Sequence, residues 1–391
     1  MSATSNEFFI DQYTSELQKL IREVVNDPST YLGSEFLPSV ASPVLKVRNE
    51  VVESTGGVTN DYLPGTSPKF VQSFGSRVQE FSPGYWKEAI HYDETKILFL
   101  RELGQKDPSR RGIEQYIDLD IDRLNRRLEA KIELLRWQAI LNGGFTWNNL
   151  TTAFSIPSFN TATPLAGNWS LDGINANNSA TPIQDLRYWL AGGYGPYRKY
   201  KVKRIIMNPN TARWFLDNSS VRSYVQNALA NPAVAQYGIN EVLKFFYPGC
   251  PPVVVYDGWF QQEQVGPGNG AVTSINTTPQ AQQIVTTNGI YFIPDGAIFF
   301  DVTNLPGGDK LGSFVQTVHL ASGTPAAPGF GKFLVVEENI APGTKGGPGN
   351  PYIDIFAGVY GGPNLERAFD VLTASVGPTA GGSYTWNGVF P

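Results

Sequence analysis

Gly112–Asn142 reads GIEQYIDLDIDRLNRRLEAKIELLRWQAILN. Its apolar residues Ile113, Ile117, Ile121, Leu124, Leu128, Ile132, Leu135 and Ala139 recur at intervals of three or four. That spacing lays one stripe along a helix and predicts a single helix over the whole stretch. At 1.5 Å per residue it is about 45 Å long, beyond the ordinary globular range. Asp118, Asp120 and Asp122 come early and Arg126, Arg127, Lys131 and Arg136 later, the order the helix dipole favours. Asn142–Gly143–Gly144 supplies the stop, because glycine accepts the left-handed cap. The chain offers no second helix of matching length, so the stretch reads as a rod-like spine rather than one strand of a coiled coil. Its Asp-x-Asp-x-Asp run with Glu129 mimics a calcium loop. The sixth position, where such a loop needs glycine, is Arg123, and the acids read as a solvated helix face.

Upstream, Phe9, Tyr13, Leu17, Leu20 and Val24 predict an amphipathic helix over residues 7–25. Asn26–Asp27–Pro28 ends it, since proline cannot continue a helix. Ser29–Pro43 is irregular but too apolar for a free linker, and reads as an arm laid across a surface. Val44–Val52 carries a short strand pattern. Lys69–Phe74 and Arg77–Phe81 read as the two arms of a hairpin around Gly75–Ser76. Phe70, Phe74, Phe81, Tyr85 and Trp86 line this excursion. A two-stranded excursion cannot bury its own apolar surface. It must lie on another part of the chain or on a neighbouring subunit.

Downstream, Phe145–Pro182 is rich in Asn, Thr, Ser and Gly. An α/β segment follows: helix Ile183–Leu190, strand Lys201–Asn208, then helices Pro209–Leu216, Val221–Leu229 and Ile239–Phe246. Strands are expected at Pro252–Tyr256, Ile290–Ile293 and Ala297–Val302. Gln261–Asn288 is polar loop. The last third offers strands Phe314–Leu320, Lys332–Glu338, Tyr352–Tyr360 and Phe369–Ser375. The fold class is therefore α+β.

Composition removes several functions. The 391 residues include one cysteine, Cys250, and two histidines, His91 and His319. Disulfides within the chain, cysteine-ligated clusters and multi-histidine metal sites are excluded. No apolar run is long enough for a membrane helix, and MSATSNEFFIDQ lacks the features of a signal peptide. A net charge of −5 argues against nucleic acid as a tightly held ligand. Forty glycines and 28 prolines exceed the ordinary share of roughly 12%, which implies many turns and extended segments. His91 sits beside Tyr92, Asp93 and Glu94, but no nucleophile motif stands near it, so it reads as a structural histidine; His319 reads as a strand histidine. The runs Gly266–Gly270 and Gly343–Gly349 lack the ending of a phosphate loop. The basic run Arg198–Lys199–Tyr200–Lys201 with Lys203–Arg204 reads as the solvated flank of a strand. Neither a catalytic set, a cofactor site nor a metal site is expected.

Three stretches carry a family resemblance: YWKEAIHYDETKILFLREL (Tyr85–Leu103), EAKIELLRWQAILNGGFT (Glu129–Thr146) and KYKVKRIIMNPNTARWFLDN (Lys199–Asn218). With the order of elements around them, the chain resembles the major capsid proteins of tailed bacteriophages, and among these the lambda-like capsid E family with the Hong Kong 97 fold. The resemblance implies an N-terminal arm over 1–50 and an extended β-hairpin loop over 51–100. It further implies a peripheral domain over 101–182 with the spine, an α/β axial domain over 183–302, and return strands of the peripheral domain over 303–391. It implies a structural, non-enzymatic protein that self-assembles as pentamers and hexamers into an icosahedral head around double-stranded DNA held by weak contacts. Phe9, Tyr13, Phe70, Phe74, Arg77, Phe81, Tyr85 and Trp86 are then expected at subunit interfaces. The implied partners are further copies of the chain, a portal protein, and scaffolding and decoration proteins, the scaffold being a separate protein. The protein is expected in the virion, and in the host cytoplasm before assembly, without a membrane. The alternatives are an encapsulin-like bacterial compartment shell and, in a different class, a soluble α/β enzyme built on Ile183–Val302.

Overall fold

The computed structural model describes residues 31–44, 46–52, 76–93, 110–147, 150–154, 161–169, 180–193, 201–229, 238–260, 263–264, 285–286, 290–303, 310–324, 327–339 and 352–377. The helix expected over 7–25 and the arm Lys69–Phe74 lie outside them. In chain order the principal elements are α1 (Gly33–Phe36), β1 (Ser39–Ser42), β2 (Val47–Val52), β3 (Ser76–Phe81), β4 (Gly84–Tyr92) and α2 (Arg110–Asn142). Then come β5 (Thr161–Ala162), α3 (Pro182–Tyr188), β6 (Lys201–Met207), α4 (Pro209–Asp217), α5 (Ser219–Leu229), α6 (Ile239–Phe246) and β7 (Val253–Val255). The chain closes with β8 (Ala297–Thr303), β9 (Ser313–Thr324), β10 (Ala327–Phe330), β11 (Lys332–Asn339), β12 (Tyr352–Asn364) and β13 (Leu372–Ser375). Two compact units result. The first takes Met1–Arg136, Phe145–Ala153 and Gly312–Glu366, and the second Trp137–Gly144, Phe154–Leu311 and Arg367–Pro391.

In the first unit the sheet runs β1-β9-β12-β11, with β10 on β9 and β4 on β12. Helix α2 buries Ile117, Ile121, Leu124, Leu128, Ile132 and Leu135, the stripe read from the sequence. From Ile132 to Trp137 every side chain of α2 is buried. A helix buried all round leaves no wet face for charge, yet Glu133 and Arg136 stand there with side chains 0% and 4% exposed.

These two charges hold the arm. Glu133 Oε1 accepts the Gly33 N–H at 2.8 Å. Arg136 Nη1 lies 3.5 Å from Glu133 Oε2, and its Nη2 donates to Ser39 Oγ at 3.0 Å. The guanidinium also sits 5.6 Å over the Phe314 ring. A Cβ at position 33 would stand 2.7 Å from Glu133 Oε2, so a side chain there would displace the carboxylate. Phe36 and Leu37 are buried beside this clip, and β1 adds parallel to β9 with Ser39 opposite Phe314. The stretch read as irregular thus gains regular structure, since β9 supplies hydrogen bonds that the local sequence does not signal.

The described residues show a pairing that the sequence did not signal. Strand β3 pairs antiparallel with β2, with Val47 opposite Phe81 and Val51 opposite Arg77. Arg77–Phe81 thus pairs with Val47–Val52, and Ser76 belongs to the strand instead of the turn, while the expected arm Lys69–Phe74 lies outside the described residues. The pairing joins six residues on each strand.

In the second unit the sheet order is β5-β13-β8-β6-β7. Strand β6 buries Ile205, Ile206 and Met207, and β8 buries Ile298, Phe299 and Phe300. Where β6 enters α4, Asn208 Oδ1 caps the helix by accepting the Thr211 N–H at 2.7 Å. Its Nδ2 donates to the Ile293 carbonyl at 3.1 Å, and Asn210 Nδ2 donates to Asp295 at 3.1 Å. Thr211 Oγ1 accepts the Gly296 N–H at 2.9 Å. Gly296 has φ +80°, and a Cβ there would meet the Gly377 backbone at 2.5 Å, so the Pro294–Asp295–Gly296 turn admits only glycine. Buried Asp185 accepts from Trp169 Nε1 at 2.7 Å and from the Leu165 N–H at 2.9 Å, fastening the segment after β5.

Replacing Arg136 by Met leaves the Glu133 carboxylate buried without its cation. Denaturant unfolding should show a loss of about 3–5 kcal/mol, the cost of breaking a buried ion pair. A loss below about 1 kcal/mol would mean that the pair is solvated, as surface pairs are.

Candidate functional site

Strand β4 leaves the hairpin after Ser82–Pro83 and enters the sheet of the first unit. Its side chains alternate. Trp86, Glu88, Ile90 and Tyr92 form the half-buried to buried set. This set faces α2. Arg127 Nε and Nη2 donate to the two Glu88 oxygens at 2.5 and 2.9 Å, a bidentate pair. The Tyr92 hydroxyl donates to Asp120. Lys131 Nζ lies 5.9 Å over the Trp86 ring. Strand β11 is fastened to the same helix, where Lys332 Nζ donates to Glu129 Oε1 at 3.0 Å. Burial lowers the Lys131 pKa while Glu88 pulls it back up, and burial with the Asp120 bond raises that of Tyr92. The acids of the calcium-like run are therefore engaged: Asp120 by Tyr92, and Asp122 by Arg126 at 2.7 Å.

The opposite face of the sheet is aromatic. Tyr85 is 37% exposed. It stacks on Phe333 at 5.9 Å and meets Tyr360 edge-on at 5.7 Å. Lys87 Nζ sits 4.3 Å over Phe356. His91 stacks on Tyr352 at 6.0 Å, and His319 lies 5.0 Å from Phe333. An antiparallel sheet with one face on its core ordinarily turns polar residues to water on the other. This one turns rings outward, with Phe330 on β10 and Val40 on β1 also exposed. The partner of His91 is Asp354 at 2.5 Å, 263 residues away, and not the acids next to it in sequence.

The second unit carries its own exposed rings. Tyr224 on α5 and Phe245 on α6 are 45% and 54% exposed. Both pack against Phe246, at 5.9 and 5.1 Å. The Arg187 guanidinium lies 6.0 Å over Tyr247. Of the basic run, Arg204 is turned inward, its Nε donating to Asp301 Oδ2 at 2.7 Å, while Lys201 and Lys203 are exposed.

The residues expected at interfaces fall as follows. Phe9, Tyr13, Phe70 and Phe74 lie outside the described residues. Arg77 and Phe81 stand on β3 opposite Val51 and Val47. Tyr85 is on the outer aromatic face, and Trp86 is turned to α2. Sequence reasoning did not find Tyr224 or Phe245. A signal existed for the second: in α6 the stripe Ile239, Val242 and Leu243 is buried, and Phe245 stands off it. Among the described residues no group of His, Cys, Asp and Glu could hold a metal ion, and no helix is long and apolar enough to cross a membrane.

The model of the family described as phage major capsid protein E matches residues 14–308. The chain belongs to that family. No curated protein matches it. Among solved structures, a prophage capsid protein of E. coli CFT073 is 12% identical with TM-score 0.53, over 94% of this chain and 99% of that one. The capsid of Myoviridae phage XM1 is 12% identical with TM-score 0.41, over 89% and 92%. The virus-like particle from Pyrococcus furiosus is 12% identical with TM-score 0.39, over 93% and 99%. The α+β architecture is thus the Hong Kong 97-type fold of phage capsid proteins, and the protein is a structural component of the virion capsid, not an enzyme.

His319 gives this sheet an acid sensitivity. Burial holds its imidazole below the ordinary 6.5, with the backbone of Lys332 and Phe330 pulling part of the way back. The unfolded chain then takes up a proton that the folded chain resists. Stability is complete above about pH 6.5 and is lost as pH falls below it. Thermal unfolding at pH 7.5 and 5.5 should show a larger drop for the wild type than for His319→Gln. Equal drops would show that His319 is solvated in the native state.

Proposed function

We propose that copies of this chain assemble head to tail as pentamers and hexamers, which close into an icosahedral head around double-stranded DNA. The observation that carries the proposal is the isolation of the hairpin. Among the described residues β2 and β3 pair only with each other, as a separate two-stranded sheet. Such a hairpin is at best marginal in water without support. A neighbouring copy supplies that support when the hairpin lies across it, and heterologous contacts of this kind close into rings. The exposed rings of both units add to the argument, since large exposed apolar surface marks association.

On this reading 1–50 is the arm, 51–100 the extended loop, 101–182 and 303–391 the peripheral domain, and 183–302 the axial domain. Phe9, Tyr13, Phe70, Phe74, Arg77, Phe81, Tyr85 and Trp86 lie at or beside contacts between copies. A chain of net charge −5 holds DNA through weak, sequence-independent contacts. A portal protein, with scaffolding and decoration proteins, completes the partner set, and subunits accumulate in the host cytoplasm before assembly.

Expressed protein should form closed shells by electron microscopy. Phe74→Ser with Phe81→Ser should leave a folded, soluble subunit by size-exclusion chromatography and circular dichroism, and should abolish the shells. Insoluble or unfolded variant would place these rings in the subunit's own core. Monodisperse wild-type monomers with no ring or shell in any condition would defeat the reading.

A further inference from the structure

The contacts of the arm descend the spine. Ser39 Oγ meets Arg136, and the Gly33 N–H meets Glu133. Tyr31 stands lower still: burial raises its pKa, the charges of Glu129 and Glu133 raise it further, and Arg126 lowers it. Followed backward, the chain thus moves toward the N-terminal end of α2. It does so along one side of the helix. Leu119, Arg126 and Glu133 stand seven residues apart, and so do Asp122, Glu129 and Arg136, three positions on. Seven residues make about two turns, so both rows lie on the same side. Near the lower end of that side Leu119 and Tyr116 are 65% and 53% exposed. They stand off the buried stripe of Ile117, Ile121 and Leu124, where a helix ordinarily turns charge to water.

The described chain begins at Tyr31. Ahead of it stands 7–25, whose stripe of Phe9, Tyr13, Leu17, Leu20 and Val24 predicts an amphipathic helix that Pro28 ends. We propose that this segment docks as a helix along the N-terminal half of its own chain's α2, covering Leu119 and Tyr116. Reach fixes the occupant. Val25 is six residues from Tyr31, at most about 20 Å of extended chain, so the segment starts beside its own spine. The lengths agree as well. Residues 7–25 as a helix span about 28 Å, and α2 from Arg126 back to Arg110 spans about 24 Å. Each helix then covers apolar side chains that the other leaves exposed. The docking does not rest on the assembly reading. Phe9 and Tyr13 then stand beside contacts between copies and not within them.

Cross-linking of the full chain tests this. Cys250, the one native cysteine, is replaced by serine, and Glu16→Cys is combined with Arg123→Cys. Glu16 flanks the apolar stripe of the segment, and Arg123 lies one turn from Leu119. A short bis-maleimide is added to a mixture of isotope-labelled and unlabelled chains, and the joined peptides are read by mass spectrometry. Links between 16 and 123 should join peptides of one label only. Links of mixed label would seat the segment on a neighbouring copy, and no link at all would leave it elsewhere; either result overturns the proposal. Tyr116→Ser with Leu119→Ser, in the native background, should speed tryptic cleavage at Lys19 and Arg22 by about tenfold, the factor that burial of one leucine supplies. Unchanged cleavage overturns the proposal too. Should that variant fail to fold by circular dichroism, the cross-link decides alone. Shell formation is followed separately by electron microscopy. Failure to form shells would count against the assembly reading while the labels still decide the docking.

Discussion

The buried pair of Glu133 and Arg136 is the constraint on which the first unit depends. Neither side chain can reach water, so each must find its partners inside the protein. Glu133 finds Arg136 and the Gly33 N–H, and Arg136 finds Glu133, Ser39 and the face of Phe314. Those partners come from the arm and from β9, so satisfying the spine's charges obliges the arm to dock. Once Gly33 and Ser39 are placed, β1 falls into register with β9, and the chain leaves toward β2 from a fixed point. The hairpin therefore begins at a defined place because two charges on α2 would otherwise be stranded.

The same helix fixes the other end of the hairpin. Glu88 and Tyr92 tie β4 to Arg127 and Asp120, and Lys332 ties β11 to Glu129. With one face of the sheet occupied in this way, alternation sends Tyr85, Phe356 and Tyr360 to the other. A monomer keeps such a surface at a cost in solubility. A subunit that spends its working life against copies of itself does not. Low charge and abundant glycine and proline fit the same economy, since extended arms and weakly charged surfaces overlap without repulsion.

The spine, the strands of the α/β segment and the family resemblance were legible in the sequence because each rests on local period or local motif. Ile117 to Leu135 announce the helix by spacing alone, and Asn208–Pro209 announces the start of α4 by cap and proline. The partner of β3 was not legible. Nothing local to Arg77–Phe81 reveals that it pairs with Val47–Val52. The clip was hidden for another reason. Glu133 and Arg136 lie three apart on a helix rich in exposed ions, and only the packing around residues 132–137 separates them from their neighbours. The pairing of His91 with Asp354 joins residues 263 apart, which no single-sequence pattern reports. Tyr224 and Phe245 passed unnoticed because exposure cannot be read from residue type.

The central claim is that β2 and β3 are completed by a neighbouring copy. Amide hydrogen exchange over Val47–Val52 and Ser76–Phe81 tests it most directly when unassembled subunits are compared with assembled particles. The account predicts fast exchange in the free subunit and strong protection in the particle, with β6 and β8 protected in both. Equal protection of the hairpin in the two states would contradict it.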